Sequence, residues 1–195
     1  MKVILLAPLP PPIGGIASWT KRMLESHLTG GWQVSVVDEK VIGGREVFGS
    51  NTKRNLFVEI KRSLLIWRNL VAKLLDKESR VVHSCIPSAT FSMMREYVCA
   101  IITKFFSRKF IVHFRCTVPN TTRTKFGKFI LKQLCNISDS IIVLNSQSER
   151  FLRGVTKTNI VLIPNFVSFD EISDVRVVSD EIKYNNRITD ITQLL

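Results

Sequence analysis

Short apolar segments alternate with helical patterns along most of the chain. The first apolar segment, Val3 to Ala7, is short and uninterrupted, as is typical of a strand buried on both faces of a parallel sheet. The prolines that follow cannot pair in a sheet, so they end this strand. The same pattern predicts further strands at Gln33 to Val37, Arg80 to His83, Phe110 to Phe114, Ser140 to Leu144 and Asn159 to Ile163.

Helical periodicity fills the intervals between these strands. From Leu56 to Leu75 the apolar residues recur in steps of three and four, which places them on one face of a long helix. Ser146 and Glu149 have the spacing of a capping box, so a short helix should begin at Ser146 and end near Gly154. The other predicted helices cover Ile16 to Leu28, Thr90 to Phe106 and Lys125 to Cys135.

This alternation predicts an α/β fold, a Rossmann-like doubly wound parallel sheet with helices on both faces. Ligands bind such sheets beyond the carboxyl ends of the strands. The residues expected at those ends are Gly14, Gly15, Ser84, Arg115, Asn145, Ser146 and Asn165. Residues 1–170 form the predicted domain, and the more acidic residues 171–195 form a linker or a frayed tail.

The loop after the first strand has the composition of an anion-binding loop. Gly14 and Gly15 have no Cβ, so backbone N–H groups there can approach a ligand closely. The helix that begins near Ile16 points its positive end at the same place, which favours phosphate. The alternative is that the two glycines only close a tight turn, because the six-residue dinucleotide fingerprint is absent.

The strong positive charge of the chain indicates anionic partners. A formal net charge of +12 favours phosphorylated ligands, polyanions or an anionic membrane surface. A nucleic-acid function would rest on this charge alone, since no base-reading motif is present, and we expect no nucleic-acid partner. No run of about 18 apolar residues could form a membrane-spanning helix. We therefore expect a cytoplasmic protein.

The cysteines are not arranged as a metal-binding motif. Cys85, Cys99, Cys116 and Cys135 are widely spaced, without a Cys-x-x-Cys pair or a histidine at metal-ligand intervals. They are interpreted as separate thiols in or near the core, and no metal ion and no cofactor is expected.

Five segments, in order, resemble the N-terminal, acceptor-side domain of a glycosyltransferase of family 4, which has the two-domain GT-B fold. The resemblance extends from Met1 to about Asp170. Its segments are the opening strand with Pro-Pro-Ile-Gly-Gly, then Val-Val-His-Ser, Phe-Ile-Val-His-Phe-Arg, Ser138 to Ser146, and Val-Leu-Ile-Pro-Asn-Phe-Val.

The resemblance implies transfer of a sugar from a nucleotide-sugar to a glycan or lipid-linked acceptor by a retaining, hexosyltransferase-like enzyme. Cell-surface polysaccharide or lipopolysaccharide synthesis would be its setting. The C-terminal donor-binding domain of that family has no counterpart after Asp170, so this chain alone is expected to be inactive. The alternative is a non-catalytic, membrane-docking half that recruits a donor-binding domain on another chain.

The resemblance also assigns candidate site residues. Gly14 and Gly15 would hold the donor diphosphate. Many family members have His-Gly after the fourth strand, whereas this chain has Arg115-Cys116 with His113 two residues earlier, on the same face as Arg115. Both are catalytic candidates, and the alternative for His113 is a packed strand histidine. The candidate acceptor or sugar contacts, which are alternatively strand-end and turn residues, are His83, Ser84, Asn145 and Asn165.

Basic and aromatic residues are interleaved between Tyr97 and Ser138, a stretch that contains no acidic residue. Basic residues beside exposed aromatic rings dock on anionic lipid, which predicts a peripheral protein at the inner face of the cell membrane. The alternative is that the phenylalanines belong to the core and the charges are scattered. The region in question runs from Lys104 to Lys132.

Overall fold

The computed structural model describes residues 2–11, 13–25, 33–40 and 56–165. The chain divides into two compact units, Met1–Ile163 and Pro164–Leu195. All helices and strands given below belong to the first unit, and Pro164 and Asn165 are the described residues of the second. The predicted tail, residues 171–195, and residues 41–55 lie outside the described residues.

The described part of the first unit is built on a parallel sheet of six strands. The strands are β1 (Lys2–Ala7), β2 (Gln33–Asp38), β3 (Ser79–Ile86), β4 (Lys109–Phe114), β5 (Ser140–Val143) and β6 (Asn159–Leu162). Their order in the sheet is β2-β1-β3-β4-β5-β6, and every neighbouring pair is parallel. The predicted doubly wound α/β fold is confirmed, and all six strands lie where the apolar pattern placed them.

Helices connect successive strands, as a parallel sheet requires. They are α1 (Gly15–Glu25), α2 (Leu56–Leu74), α3 (Thr90–Phe105), α4 (Val118–Thr121), α5 (Lys125–Ile137) and α6 (Ser146–Arg153). The short helix α4 was not predicted from the sequence.

The sheet has one apolar cluster on each face. Alternate residues such as Ile4, Val82 and Val112 belong to the larger cluster, which contains the buried side chains of α2, α3, α5 and α6. The intervening residues Leu5 and Cys85 belong to a smaller cluster beneath α1. Period-two alternation along each strand therefore divides the side chains between two differently covered faces.

Strand β3 is longer than predicted. The prediction ended the strand before Ser84, but pairing with β4 continues to Ile86. Ser84 is fully buried on the face of the larger cluster, and its hydroxyl donates to Glu96 Oε2 on α3 at 2.7 Å. This contact lets a polar residue remain inside a buried strand, because its hydrogen bond is satisfied.

The N-cap of α6 is one residue earlier than predicted. The side chain of Asn145, rather than that of Ser146, caps the helix and accepts from the backbone N–H of Ser148 at 2.9 Å. Asn and Ser are about equally good N-caps, so the sequence alone did not separate the two positions. The helix ends at Arg153, with Gly154 as its C-cap, in agreement with the predicted end near Gly154.

A buried ionic cluster links the end of β2 to α3. The Arg95 guanidinium contacts Glu39 Oε1 at 3.2 Å and Glu96 Oε1 at 3.0 Å, and all three side chains are buried. Burial raises the pKa of Glu39 well above its ordinary value, against the opposing effect of Arg95. A buried charge is tolerated only when it is paired in this way.

Helices α3 and α5 approach each other closely where α5 begins. Thr124 caps α5 by accepting from the Gly127 backbone N–H at 2.9 Å. A Cβ on Gly127 would come within 2.9 Å of the hydroxyl oxygens of both Thr124 and Thr90. The absence of a side chain at Gly127 therefore permits the spacing of the two helices.

Asp139 connects α5, β4 and α3 at the amino end of the sheet. Its carboxylate accepts from the Phe110 N–H at 2.7 Å, contacts Lys109 Nζ at 3.2 Å and pairs with Lys104. Desolvation alone would raise the pKa of Asp139, but the hydrogen bonds from Lys104 and Phe110 outweigh it and lower the pKa below the ordinary 3.8.

We expect Asp139→Asn to lower the free energy of unfolding at pH 7 by about 1 kcal/mol. The side-chain amide can still accept a hydrogen bond from the Phe110 N–H, but it no longer forms ion pairs with Lys104 and Lys109. A depressed carboxyl pKa stabilises the fold above 3.8 and ceases to do so as pH falls through the folded value. Urea unfolding should therefore show the difference from wild type narrowing below pH 3.8. Glu149→Gln removes a single pair, with Arg153 on the same helix, and is the matched control that should have little effect.

Candidate functional site

Two histidines and a cysteine meet near the carboxyl end of the sheet, on the face that α1 covers. His83 and Cys85 share this face because they are two residues apart on β3, and His113 lies directly opposite Cys85 on β4. His83 Nε2 is 3.2 Å from His113 Nδ1, and Cys85 Sγ is 3.7 Å from His83 Nε2. The two imidazole rings are stacked, with centroids 5.4 Å apart.

Trp19 of α1 and Arg115 complete this cluster. The indole ring meets both imidazoles edge-on, with centroids 6.1 Å from His83 and 5.6 Å from His113. The Arg115 guanidinium carbon lies 4.4 Å from the Trp19 ring centroid, and Nη1 is 3.3 Å from His113 Nε2. The Arg115 backbone N–H donates to Ile86 O at 2.8 Å, which fixes this residue just beyond the end of β4.

The positive charge of this cluster resides on Arg115. Burial lowers the pKa of His83 to about 4 and that of His113 to about 3, with the Arg115 charge acting in the same direction, so both rings are neutral at pH 7. Burial also lowers the pKa of the guanidinium. Within residues 2–11, 13–25, 33–40 and 56–165, no carboxylate forms an ion pair with Arg115.

The N-terminus of α1 lies one helical turn before Trp19. The first helical hydrogen bond runs from the Ser18 N–H to Gly14 O at 2.8 Å, so the helix begins at Gly15. The first turn of an α-helix leaves backbone N–H groups without an intrahelical acceptor. A Cβ built on Gly15 would meet nothing within 4 Å, so there is open space beside this residue.

Trp19 therefore connects the predicted glycine loop to the predicted side chains of β3 and β4. His83, His113 and Arg115 lie within one cluster, and the side chains of His113 and Arg115, which the sequence placed on one strand face, are in contact. Gly14 and Gly15 begin the helix that carries Trp19 over this cluster.

Ser84 and Asn145 make other contacts within the first unit, and Asn165 belongs to the second. Ser84 is on the opposite face of the sheet, bonded to Glu96. Asn145 caps α6, and its side-chain amide donates to Thr117 Oγ1 at 3.1 Å. Asn165 follows β6 in the second unit and is exposed. The proposed contacts of these three residues with an acceptor or sugar stay predictions.

Sequence reasoning missed two members of the cluster, Trp19 and Cys85. Cys85 was assigned to the core as a separate thiol, although its spacing of two residues from His83 places both on one strand face. Trp19 lies one turn after Gly15, on the helix that follows the anion-binding loop. Neither spacing identifies a site by itself, because the cluster exists only once β3 and β4 are paired.

No protein-family model and no curated protein matches this chain. Among solved structures, its fold is similar to that of phosphomethylpyrimidine kinase (ThiD) from Clostridium difficile 630. The superposition has a TM-score of 0.51 at 14% sequence identity and covers 94% of this chain and 71% of the kinase chain. At this identity the similarity establishes the fold alone.

These comparisons overturn the resemblance to a family 4 glycosyltransferase. No family model supports it, and the structural neighbour is a kinase whose fold differs from GT-B. Sugar transfer in polysaccharide or lipopolysaccharide synthesis, and the alternative of a docking half that recruits a donor-binding chain, are therefore wrong predictions. The matching segments are short strands followed by polar residues or proline, which many parallel α/β sheets contain, so their order was not specific.

We expect Trp19 and Arg115 to be energetically coupled, because the guanidinium stacks on the indole face. In a double-mutant cycle with Trp19→Leu and Arg115→Gln, urea unfolding should give a coupling energy of about 1 kcal/mol. Trp19→Phe should retain part of it, since phenylalanine still offers an aromatic face. Additive effects of the two substitutions would show that the stacking contributes nothing to stability.

Proposed function

We propose that this chain binds a phosphate-bearing small molecule at the carboxyl end of the sheet, between the start of α1 and Arg115. The observation that carries the proposal is the half-buried Arg115 guanidinium, which has no carboxylate partner among the described residues and stacks on the helix that begins at Gly15.

The partly desolvated charge of Arg115 has a free-energy cost. Removing a guanidinium from water is unfavourable unless an anion or hydrogen-bond acceptors replace the solvent. The Trp19 ring and His113 Nε2 compensate for part of this cost, but neither carries a negative charge. A phosphate group would supply that charge and match the planar fork of arginine in a bidentate contact.

The backbone at the start of α1 favours the same ligand class. The N-terminus of α1 offers free N–H groups and the positive end of the helix dipole. Open space at Gly15 leaves room for a ligand to approach the backbone. In open parallel sheets, ligands bind outside the carboxyl ends of the strands, where these groups lie.

The kinase with a similar fold is, by its name, an enzyme that transfers phosphate to a pyrimidine substrate. A phosphate-bearing ligand is compatible with that neighbour, but a shared fold does not carry a reaction from one protein to another. The proposal therefore specifies a class of ligand, and Arg115 is the residue on which it depends.

Titration calorimetry with pyrophosphate and ADP tests this proposal, with uncharged adenosine as the matched ligand control. We expect Arg115→Gln to weaken binding at least about tenfold, because a charge-assisted hydrogen bond is lost. Lys132→Gln removes the same charge from an exposed position on α5 and should leave affinity nearly unchanged. Equal binding by the wild type and the Arg115→Gln variant would contradict the proposal.

A pair of substitutions at Gly15 tests the backbone part of the site. Gly15→Ala should fold normally, since its Cβ meets open space. Gly15→Val should weaken phosphate binding more than Gly15→Ala, because the larger side chain fills the space that a ligand would use. Identical affinities for the two variants would place the ligand away from the start of α1.

A second candidate function is attachment to an anionic membrane surface. None of the helices in the described residues has the length and apolar composition that crossing a bilayer requires. We propose instead that the outward face of α5 rests on anionic lipid. This α5 face consists of Lys125, Phe126, Lys128, Phe129 and Lys132, all of which are exposed.

The structure narrows the surface that the sequence suggested. Phe110 is fully buried and unavailable to lipid, and Phe106 is partly buried against the core. Lys104 and Lys109 both pair with Asp139. The specific observation that favours the α5 face is the pairing of half-exposed phenylalanines with three lysines that have no ion-pair partner among the described residues.

Cosedimentation with vesicles containing phosphatidylserine should detect this attachment. The triple variant Lys125→Gln, Lys128→Gln, Lys132→Gln should bind about 100-fold more weakly, since each charge contributes about 1 kcal/mol near an anionic surface. The triple variant Lys61→Gln, Lys77→Gln, Arg80→Gln loses equal charge from other exposed positions and is the control. If both variants bind equally well, or if neutral vesicles bind as strongly, the α5 face is not the attachment surface.

A further inference from the structure

The geometry points to a transition-metal site of the zinc type at His83, Cys85 and His113. We propose that the two imidazole nitrogens and the cysteine sulfur bind one divalent ion, with a fourth position left for water or a ligand atom. This inference does not rest on the proposed phosphate site, because the three ligand atoms belong to other residues than Arg115.

The spacing of the donor atoms fits a tetrahedral ion. The three ligand atoms lie within 4.8 Å of one another, with 3.2 Å between the histidine nitrogens and 3.7 Å from Cys85 Sγ to His83 Nε2. With Zn–N near 2.0 Å and Zn–S near 2.3 Å, a tetrahedral site separates two nitrogens by about 3.3 Å and a nitrogen from a sulfur by about 3.5 Å. The observed separations of 3.2 Å and 3.7 Å therefore need little adjustment to accept a tetrahedral ion.

The chemistry of the donor set also selects this class of ion. Two imidazoles with one thiolate are ligands that zinc prefers, whereas calcium and magnesium take oxygen ligands. On binding, a metal–sulfur bond forms and the S–H bond of Cys85 breaks, with the proton passing to solvent. No electron is transferred, so the step requires no oxidant or reductant.

The scaffold holds the donors in place before an ion arrives. His83 and Cys85 are fixed by the pairing of β3 with β1 and β4, and His113 lies in β4 opposite Cys85. His83 is only partly buried, which leaves an ion a route to the cluster. Sites built on paired strands keep their geometry better than sites on loops.

Metal binding has a defined consequence for Arg115. His113 Nδ1 faces His83, so a metal bound there leaves the ring proton on Nε2. Arg115 Nη1 lies 3.3 Å from that nitrogen and can only donate, so the guanidinium must turn away from His113 when an ion binds. Arg115 therefore opposes the metal through both its charge and its hydrogen bond.

The test uses Co²⁺ as a spectroscopic probe on the full chain, after metals have been removed by dialysis against a chelator. A thiolate ligand gives a sulfur-to-cobalt charge-transfer band, and tetrahedral Co²⁺ gives strong visible bands. We expect both signals with one equivalent of Co²⁺, and their loss when Zn²⁺ displaces the cobalt. Absence of a tetrahedral cobalt spectrum would overturn the proposal.

Substitutions locate the ligand atoms. Cys85→Ser and His113→Gln should each weaken Co²⁺ binding at least about 100-fold, because loss of a direct ligand costs more than loss of an outer contact. Cys116→Ser removes the half-buried thiol beside Ser88 and is the matched control, with binding unchanged. An unchanged spectrum in Cys85→Ser, or its loss in Cys116→Ser, would show that the cluster is not the site.

A third variant keeps the proposal testable if the ligand variants fold poorly. Arg115→Gln should bind Co²⁺ more tightly than wild type, while it weakens pyrophosphate binding. If only the phosphate proposal is wrong, pyrophosphate will not bind at Arg115 but the tetrahedral cobalt spectrum will still form. If only the metal proposal is wrong, that spectrum will be absent but pyrophosphate will still bind. Weaker Co²⁺ binding by Arg115→Gln would overturn the proposed opposition between Arg115 and the ion.

Discussion

The parallel register of β3 and β4 is the constraint on which the site depends. It sets Cys85 opposite His113 and leaves Arg115 just beyond the end of β4. A shift of one residue would turn every side chain of a strand to the opposite face. His113 would then enter the large cluster beneath α3 and α5, and Phe114 would take its place beneath α1. The apolar burial of Phe110, Val112 and Phe114 therefore specifies the position of the histidine between them.

The two faces of the sheet differ in the side chains that they hold. The face beneath α2, α3, α5 and α6 holds the larger apolar cluster, and buried polar residues such as Ser84 and Glu96 are bonded to each other there. The face beneath α1 holds few apolar side chains and carries the imidazoles, the thiol and the indole. Most of the apolar core thus lies on one face, and the other holds neutral donors beside a cation that has no carboxylate partner among the described residues. The Arg95 guanidinium differs from that of Arg115 in that two carboxyl groups, those of Glu39 and Glu96, contact it.

Strands and helices could be predicted because their apolar periodicity is local. The end of β3 could not, because Ser84 is compatible with a buried strand only through Glu96, a contact that no nearby residue indicates. The glycine loop, His113 and Arg115 were found from their positions at strand ends. Trp19 and Cys85 were missed because their role requires the sheet order, which brings α1, β3 and β4 together. The glycosyltransferase interpretation failed for the converse reason, since strand-end motifs report the architecture rather than the reaction.

The close approach at Gly127 limits the sequence in a way unrelated to ligands. Any side chain there would have to displace the hydroxyl that caps α5 or the hydroxyl of Thr90 on α3. Because α3 follows β3 and α5 precedes β5, a change in their spacing would be transmitted to the strands on either side of β4. Selection at position 127 would therefore act on helix spacing, and a glycine retained there among relatives would be a signature of packing rather than of chemistry.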